Sequence, residues 1–241
     1  MVSAIKTYIL YSPLETDRTE RVKALGILFS DFTISTSIYP SQTRIPFLNK
    51  LIEKSRERTG SALRASEVAC LLGHRQIWRS ILNSNIPEKE HVLVMESDSK
   101  IYSLETLNQY FDQYTQDYDL FFWGAWEGNL KIKKSTIKYQ NGPYIIGEPL
   151  IKTVYCMYGY SLNKKAARYL LKQTRQIAYP VDIFKKFIEP GNIQIGAIKK
   201  EVIGTWLEGS YIREMTTLYT IKRKLLLFLL NIRNSVKAYF S

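Results

Sequence analysis

Two carboxylates one residue apart, Glu96 and Asp98, follow four apolar residues, Val92 to Met95, that carry no polar interruption. Carboxylate oxygens are hard ligands, so such a pair suits Mg²⁺ or Mn²⁺ held against a diphosphate, with water completing the shell. A run that short and rich in β-branched residues reads as a strand buried on both faces, as an α/β sheet provides. If the strand extends through its acidic end, alternation points Glu96 and Asp98 to one side. The carboxyl end of such a strand is where open α/β sheets bind their ligands. The plainer alternative is that the two acids only terminate the strand in a solvated loop.

Other residue types with chemical capacity lie on elements that must bring them to this strand end. Ser66 to Leu82 has helical periodicity, with Val68, Leu71, Leu72 and Trp78 on one apolar stripe and Glu67, Cys70, His74, Ile77 and Ile81 on the next. Ser66 is positioned to cap this helix, and Glu67 favours the positive end of its dipole. His74 falls two turns from Glu67 on a partly apolar face, where a satisfied core histidine is the commoner use. Arg18 and Arg21 share one face of an early helix. Solvated surface is the default for such a pair, and contact with a phosphate the alternative. Asp182, after Tyr179, Pro180 and Val181, reads as the N-cap of a new helix. Glu127 and Trp126 end an aromatic strand, Asp119 to Gly124. An aromatic face and a carboxylate there would floor a sugar site.

The elements between these residues alternate strand and helix. Thr7 to Tyr11 reads as a first strand, Thr16 to Leu28 as a charged helix, and Phe32 to Ser37 as a second strand, which together begin a βα unit. Phe47 to Arg64 reads as a helix and loop broken at Gly60, and Leu104 to Tyr118 as a short helix. Lys131 to Tyr139, closed by Asn141, Gly142 and Pro143, reads as an exposed hairpin or loop. Thr153 to Leu171 reads as a Tyr-rich strand, a cap at Ser161 to Asn163, and a helix that turns Ala166, Ala167, Leu170 and Leu171 inward.

Composition bounds what this α/β chain does. With 241 residues, 45% hydrophobic and 23% charged, it suits one large domain or one with a small appendage, and wholesale disorder is excluded. A formal charge of +12 points to an anionic partner. Cys70 and Cys156 stand without a CxxC or a Cys/His cluster, so buried thiols are expected and a disulfide framework is not. The N-terminus reads as neither signal peptide nor membrane span, and a cytoplasmic location is the expectation.

The last segment differs in character. From Met215 to Ser241 there is no acidic residue, and Lys222, Arg223, Lys224, Arg233 and Lys237 are basic. Leu225, Phe228, Leu229, Ile232, Val236 and Phe240 form one apolar face on a helical wheel. The continuous apolar run is too short to span a bilayer, so an amphipathic basic helix at an anionic membrane surface is expected. Its alternative is a terminal helix packed on the domain or a second subunit. The domain boundary is accordingly placed between residues 214 and 215.

In order, YILYSPLETDRTERV, EVACLLGHRQIW, VLVMESD, YCMYGYSLNKKAARYLL and YPVD resemble glycosyltransferase family 25, the group containing bacterial lipooligosaccharide galactosyltransferases. Three positions depart from its pattern: Ser97 at the middle acid of the triplet, Ala69 at a usual Gly, and Gly73 at the usual Ser before the His. The resemblance implies a GT-A-like mixed sheet flanked by helices, a UDP-sugar donor such as UDP-galactose, a divalent metal on Glu96 and Asp98, and inversion at the anomeric carbon. Asp182, matching the Pro-x-Asp element, becomes the first candidate for the base, with Glu127 second. Arg18, Glu67, His74 and Ser97 are placed with the donor. The acceptor is expected to be a lipooligosaccharide or other glycan, and a lipid-linked one would be presented at the cytoplasmic face of a membrane.

A different class of function also fits the charge, namely a non-catalytic protein that binds a membrane, a nucleic acid or a nucleotide sugar without turnover. Nucleic acid is disfavoured, because no reader motif occurs and the densest basic segment is amphipathic.

Overall fold

A computed structural model describes residues 3–40, 44–125, 130–189, 191–206 and 217–241, the side chains of the last stretch from residue 228 onward. Strands β1 (Thr7–Tyr11), β2 (Phe32–Thr36) and β3 (Val92–Glu96) are separated by helices α1 (Thr19–Ile27), α2 (Leu48–Thr59) and α3 (Ala65–Asn83). Then come β4 (Ser99–Ile101), α4 (Leu104–Thr115), β5 (Leu120–Phe122), β6 (Tyr139–Asn141), β7 (Tyr144–Gly147), β8 (Gly159–Leu162) and α5 (Lys164–Gln173). The chain continues through β9 (Ile195–Lys199), β10 (Ile203–Thr205) and α6 (Thr217–Tyr239).

Eight strands form one mixed sheet in the order β2-β1-β3-β8-β5-β9-β7-β6, and β4 pairs with β10 in a small second sheet. β1 runs parallel to both β2 and β3, so three carboxyl ends open on the same side. β8 is antiparallel to β3 and to β5. Helices cover both faces, and β3 shows why. Val92 and Val94 pack with Val68, Leu71, Ile77 and Trp78 of α3 and with Ala166 and Leu170 of α5. Leu93 and Met95 pack on the opposite face with Val22 and Leu25 of α1 and with Leu107 and Phe111 of α4. A strand apolar on both faces has to be sandwiched this way. Each fully buried large side chain contributes about 1.5–3 kcal/mol, so this strand and α3 anchor the core.

Local differences from the sequence expectations have physical causes. β3 stops at Glu96, and Ser97 and Asp98 form the turn into β4. Strand alternation therefore does not orient Asp98, and the turn does. Ser66 does not cap α3. Arg64 holds that position, and its amide donates to Glu67 Oε2 at 2.8 Å. Asp182 does not cap a helix either, because the short 3₁₀ turn Phe184–Lys186 is entered through Ile183 without a side-chain cap. The cap expected near Ser161 to Asn163 is Asn163, whose side chain accepts from the Ala166 amide at 3.0 Å. Residues 131–139 contain a 3₁₀ turn, Lys134–Thr136, and lead into the β6–β7 hairpin, which turns at Gly142 with φ +54°.

Candidate active site

The carboxyl ends of β1, β2 and β3 surround a cavity of about 320 Å³, within the range of small-molecule sites. Glu15 and Arg18 enter it after β1, Ile38, Tyr39 and Pro40 after β2, and Glu96, Ser97 and Asp98 from the end of β3. The amino-terminal turns of α3 close it with Ser66, Ala69 and Cys70. Gly73 sets how closely α3 lies on β1, since a Cβ there would stand 2.9 Å from a Leu10 methyl. That close approach brings Cys70 and His74 against Glu96.

Glu96 is held from behind by a hydrogen-bonded chain. The Trp78 indole, which only donates, gives its proton to the Tyr160 hydroxyl at 2.9 Å. Tyr160 is then the donor to Nδ1 of His74 at 3.0 Å, which leaves the His74 proton on Nε2, 3.0 Å from Glu96 Oε1. Burial pushes the imidazole down to about 4 against the opposing pull of Asp182, so it is neutral at pH 7, as this chain requires. The Cys70 thiol reaches the same Oε1 at 3.8 Å, and both contacts leave Oε2 for a ligand. Cys70, His74 and Glu96 offer ligand atoms within 4.8 Å of one another, a spacing that a softer cation would also accept. With Nε2 donating to Glu96, however, His74 supports the carboxylate rather than offering a lone pair.

Asp98 lies in a different balance of charge. Its Oδ2 is 3.6 Å from Arg18 Nη2, while its Oδ1 is buried without a hydrogen-bond partner. An orphaned buried carboxylate oxygen is costly unless something binds it. Arg18 also donates to Ser97 Oγ at 2.8 Å and stands 3.8 Å from Glu15 Oε2. Ser97 in turn donates to Glu15 at 2.6 Å. Ser97 thus accepts from the cation and donates to the anion, which a carboxylate at this position could not do for Glu15. Arg18 is buried, and the solvated-surface expectation for it is corrected. A buried guanidinium requires the carboxylates that surround it.

Glu15, Glu96 and Asp98 together outnumber Arg18, and each carboxyl is raised. For Glu96 burial is the main cause and the Asp98 charge the second. For Asp98 burial outweighs the opposing Arg18, and for Glu15 burial outweighs the Ser97 hydrogen bond. Three crowded carboxyls facing one guanidinium, with hard oxygen donors and an unsatisfied Asp98 Oδ1, fit a divalent cation on Glu96 and Asp98, whose charge would favour their ionised forms.

The structure also places the remaining candidates. Glu67 caps α3 and does not line the cavity. Asp182 acts electrostatically on Cys70, His74 and Cys156, and Cys70 and Cys156 also feel Glu96 and Asp98. It therefore lies close enough to act on that cluster, but it is not among the residues that line the cavity. Cys156 is held there with φ +71°, and burial is the main cause that raises its thiol. Glu127 lies outside the described residues. Glu15 and Tyr39 are cavity residues that sequence reasoning missed. For Glu15 the available signal was its i, i+3 spacing to Arg18 directly after β1. Tyr39 had none beyond its place after β2.

A family model described as Glycosyltransferase family 25 (LPS biosynthesis protein) matches residues 15–185. The matched span takes in Glu15, Arg18, Glu96, Asp98 and Asp182. No curated protein matches the chain.

Proposed function

The chain belongs to glycosyltransferase family 25, and on that premise we propose that it is an inverting, GT-A-like hexosyltransferase. It moves a hexose, galactose by family resemblance, from a UDP-sugar to a lipid-linked glycan. The observation that carries this reading is the unsatisfied Asp98 Oδ1 beside Glu96 at the mouth of three parallel strands. Glu96 and Asp98 would hold Mn²⁺ or Mg²⁺, which when bound supplies Lewis-acid neutralisation of the departing diphosphate. Arg18 and the amino-terminal end of α3 add positive potential for the phosphates. Tyr39 and Ile38 offer the uracil an apolar face.

In the transfer, the acceptor hydroxyl oxygen attacks the anomeric carbon and forms the new glycosidic bond. The old bond to the diphosphate oxygen breaks, and its electron pair leaves with UDP. The hydroxyl proton goes to Asp182 as general base. His74 holds Glu96 in place and takes no proton.

Helix α6 supports an attachment to an anionic membrane at the cytoplasmic face. Phe228, Ile232 and Val236 are 62%, 51% and 52% exposed, on the i, i+4 spacing that puts them along one side. Among the described residues no helix is long and apolar enough to cross a membrane; the position proposed for α6 is interfacial, on the strength of its exposed apolar side.

Turnover is tested with labelled UDP-hexoses and Mn²⁺, each donor read by release of UDP and by product mass. The reading expects one hexose to be consumed in preference to the others. Mn²⁺-dependent UDP binding without consumption of any donor would instead favour a degenerate, non-catalytic family member.

A further inference from the structure

A second cluster stands against Asp98 and does not line the cavity. β10 pairs antiparallel with β4, setting Gly204 opposite Lys100 and Thr205 opposite Ser99. This small sheet delivers Trp206 to the Asp98 backbone, where the Trp206 amide donates to the Asp98 carbonyl at 3.0 Å and the Thr205 hydroxyl at 3.2 Å. Trp206 is 38% exposed and Tyr102 50% exposed. Tyr102 lies over Gly204, where any Cβ would stand 2.4 Å from the phenol ring. Lys100 Nζ sits 4.2 Å from the Trp206 ring centre and 5.8 Å from that of Tyr102. The Arg21 guanidinium carbon is 5.2 Å from the Trp206 ring centre. Lys100 makes no ion pair among the described residues.

Two exposed aromatic rings accompanied by two cations have a definite chemical complement. The C–H face of a sugar packs on an aromatic ring, and the Lys100 ammonium and Arg21 guanidinium beside it are donors suited to an anionic substituent. The neighbouring cavity already holds the groups suited to a nucleotide diphosphate. We propose that Trp206, Tyr102, Lys100 and Arg21 form the acceptor subsite, and that the acceptor sugar carries an anionic group, phosphate or carboxylate, close to the hydroxyl that is glycosylated. The assignment rests on the glycosyltransferase reading and adds the charge class of its second substrate. It also gives the hydrogen bonds from Trp206 and Thr205 to the Asp98 carbonyl a purpose, since they fix the acceptor platform to the turn that would hold the metal.

The test uses the full chain with Mn²⁺ and UDP, titrated with glucose, glucose 6-phosphate and glucuronate by ligand-observed NMR. At least one anionic sugar is expected to bind about tenfold or more tighter than glucose, as one or two charge-assisted hydrogen bonds provide. The phosphate and carboxylate arms then tell which anion is preferred. Arg21→Gln with Lys100→Gln removes the preference, whereas Lys54→Gln with Lys172→Gln, which deletes equal charge elsewhere, keeps it. Trp206→Ala weakens all the bound sugars and Trp206→Phe retains them. Binding of UDP with Mn²⁺ stays at the wild-type level in the Trp206 variants and in the Lys54/Lys172 control, so failure of the donor reading, seen as no UDP binding by wild type, is scored separately. Equal binding of the charged and neutral sugars, an equal loss in the Lys54/Lys172 control, or loss of UDP binding in Trp206→Ala each overturns the proposal.

Discussion

His74 Nε2 stands 3.0 Å from Glu96 Oε1, and on its other side the ring is fixed by Tyr160 and, through it, by Trp78. A second histidine mirrors it across the sheet. The Trp123 indole donates to Ser161 Oγ at 3.1 Å, Ser161 lies 3.3 Å from His91 Nδ1, and His91 Nε2 donates to the Tyr118 carbonyl at 2.9 Å. Tyr160 and Ser161 are neighbours on β8, so strand alternation sends one to each face. The first chain ends on a carboxylate of the site and the second on backbone.

On the proposed reading His74 is a positioning residue for Glu96, the carboxylate that would hold the metal. His74→Ala is expected to weaken Mn²⁺ binding about 10–100-fold, the usual cost of losing a group that orients a metal ligand. His74→Gln, which keeps an N–H donor, recovers part of that loss. Mn²⁺ titration followed by electron paramagnetic resonance reads both. Equal affinities in wild type and His74→Ala would remove the residue from this role.

Asp182 is expected to control the chemical step without holding the donor. Asp182→Asn should lower the transfer rate by about 10²–10⁴-fold, as for loss of a general base, while UDP binding with Mn²⁺ is retained. Transfer at the wild-type rate would move the base elsewhere, with Glu127 the next residue to change.

Burial pushes His91 down to about 4, against the Tyr118 carbonyl and the acidic neighbours that favour its charge. In the unfolded chain it titrates near 6.5, so above that pH both states are neutral and the residue carries no penalty. As pH falls from about 6.5 towards 4, only the unfolded state takes up the proton and folding stability declines, by up to about 3 kcal/mol. Urea unfolding between pH 7 and 4 should show this decline, flattened in His91→Gln by as much as about 1.4 kcal/mol per pH unit. Identical slopes in the two proteins would contradict it.

For α6 the expectation is binding to vesicles that contain anionic lipid, and release by salt. Ile232→Asp with Val236→Asp should reduce sedimentation with those vesicles by about tenfold or more, since each buried aliphatic side chain contributes roughly 1.5–3 kcal/mol. Unchanged sedimentation would assign the exposed apolar side chains another partner.

Much of this site was legible before any fold was known, where the information is local. The unbroken run from Val92 to Met95 required a strand covered on both faces, and the periodicity of Val68, Leu71 and Trp78 required a helix to cover one of them. Glu96 at the end of that strand, and Cys70 and His74 along that helix, followed directly. The rest depends on contacts distant in sequence. Glu15 and Tyr39 reach the cavity only because β1 and β2 lie parallel beside β3, a pairing no local pattern specifies. Arg18 looked like solvated surface because Asp98, one of its anionic partners beside the nearby Glu15, is eighty residues away. Trp206 becomes an Asp98 neighbour only through a two-stranded sheet of three-residue strands, too short to register as periodicity. Ser97 read as a defect in an acidic triplet, and its double hydrogen bond appears only with Glu15 and Arg18 both in view.

The most direct test of the central claim is calorimetric titration of UDP into wild type, Glu96→Gln and Asp98→Asn, each with Mn²⁺ and again with EDTA. UDP should bind wild type in the presence of Mn²⁺ and weaken by about tenfold or more on chelation or with either substitution, in line with the removal of a metal ligand. UDP binding equally tight in EDTA, or unaltered in both variants, would contradict a cation held by Glu96 and Asp98.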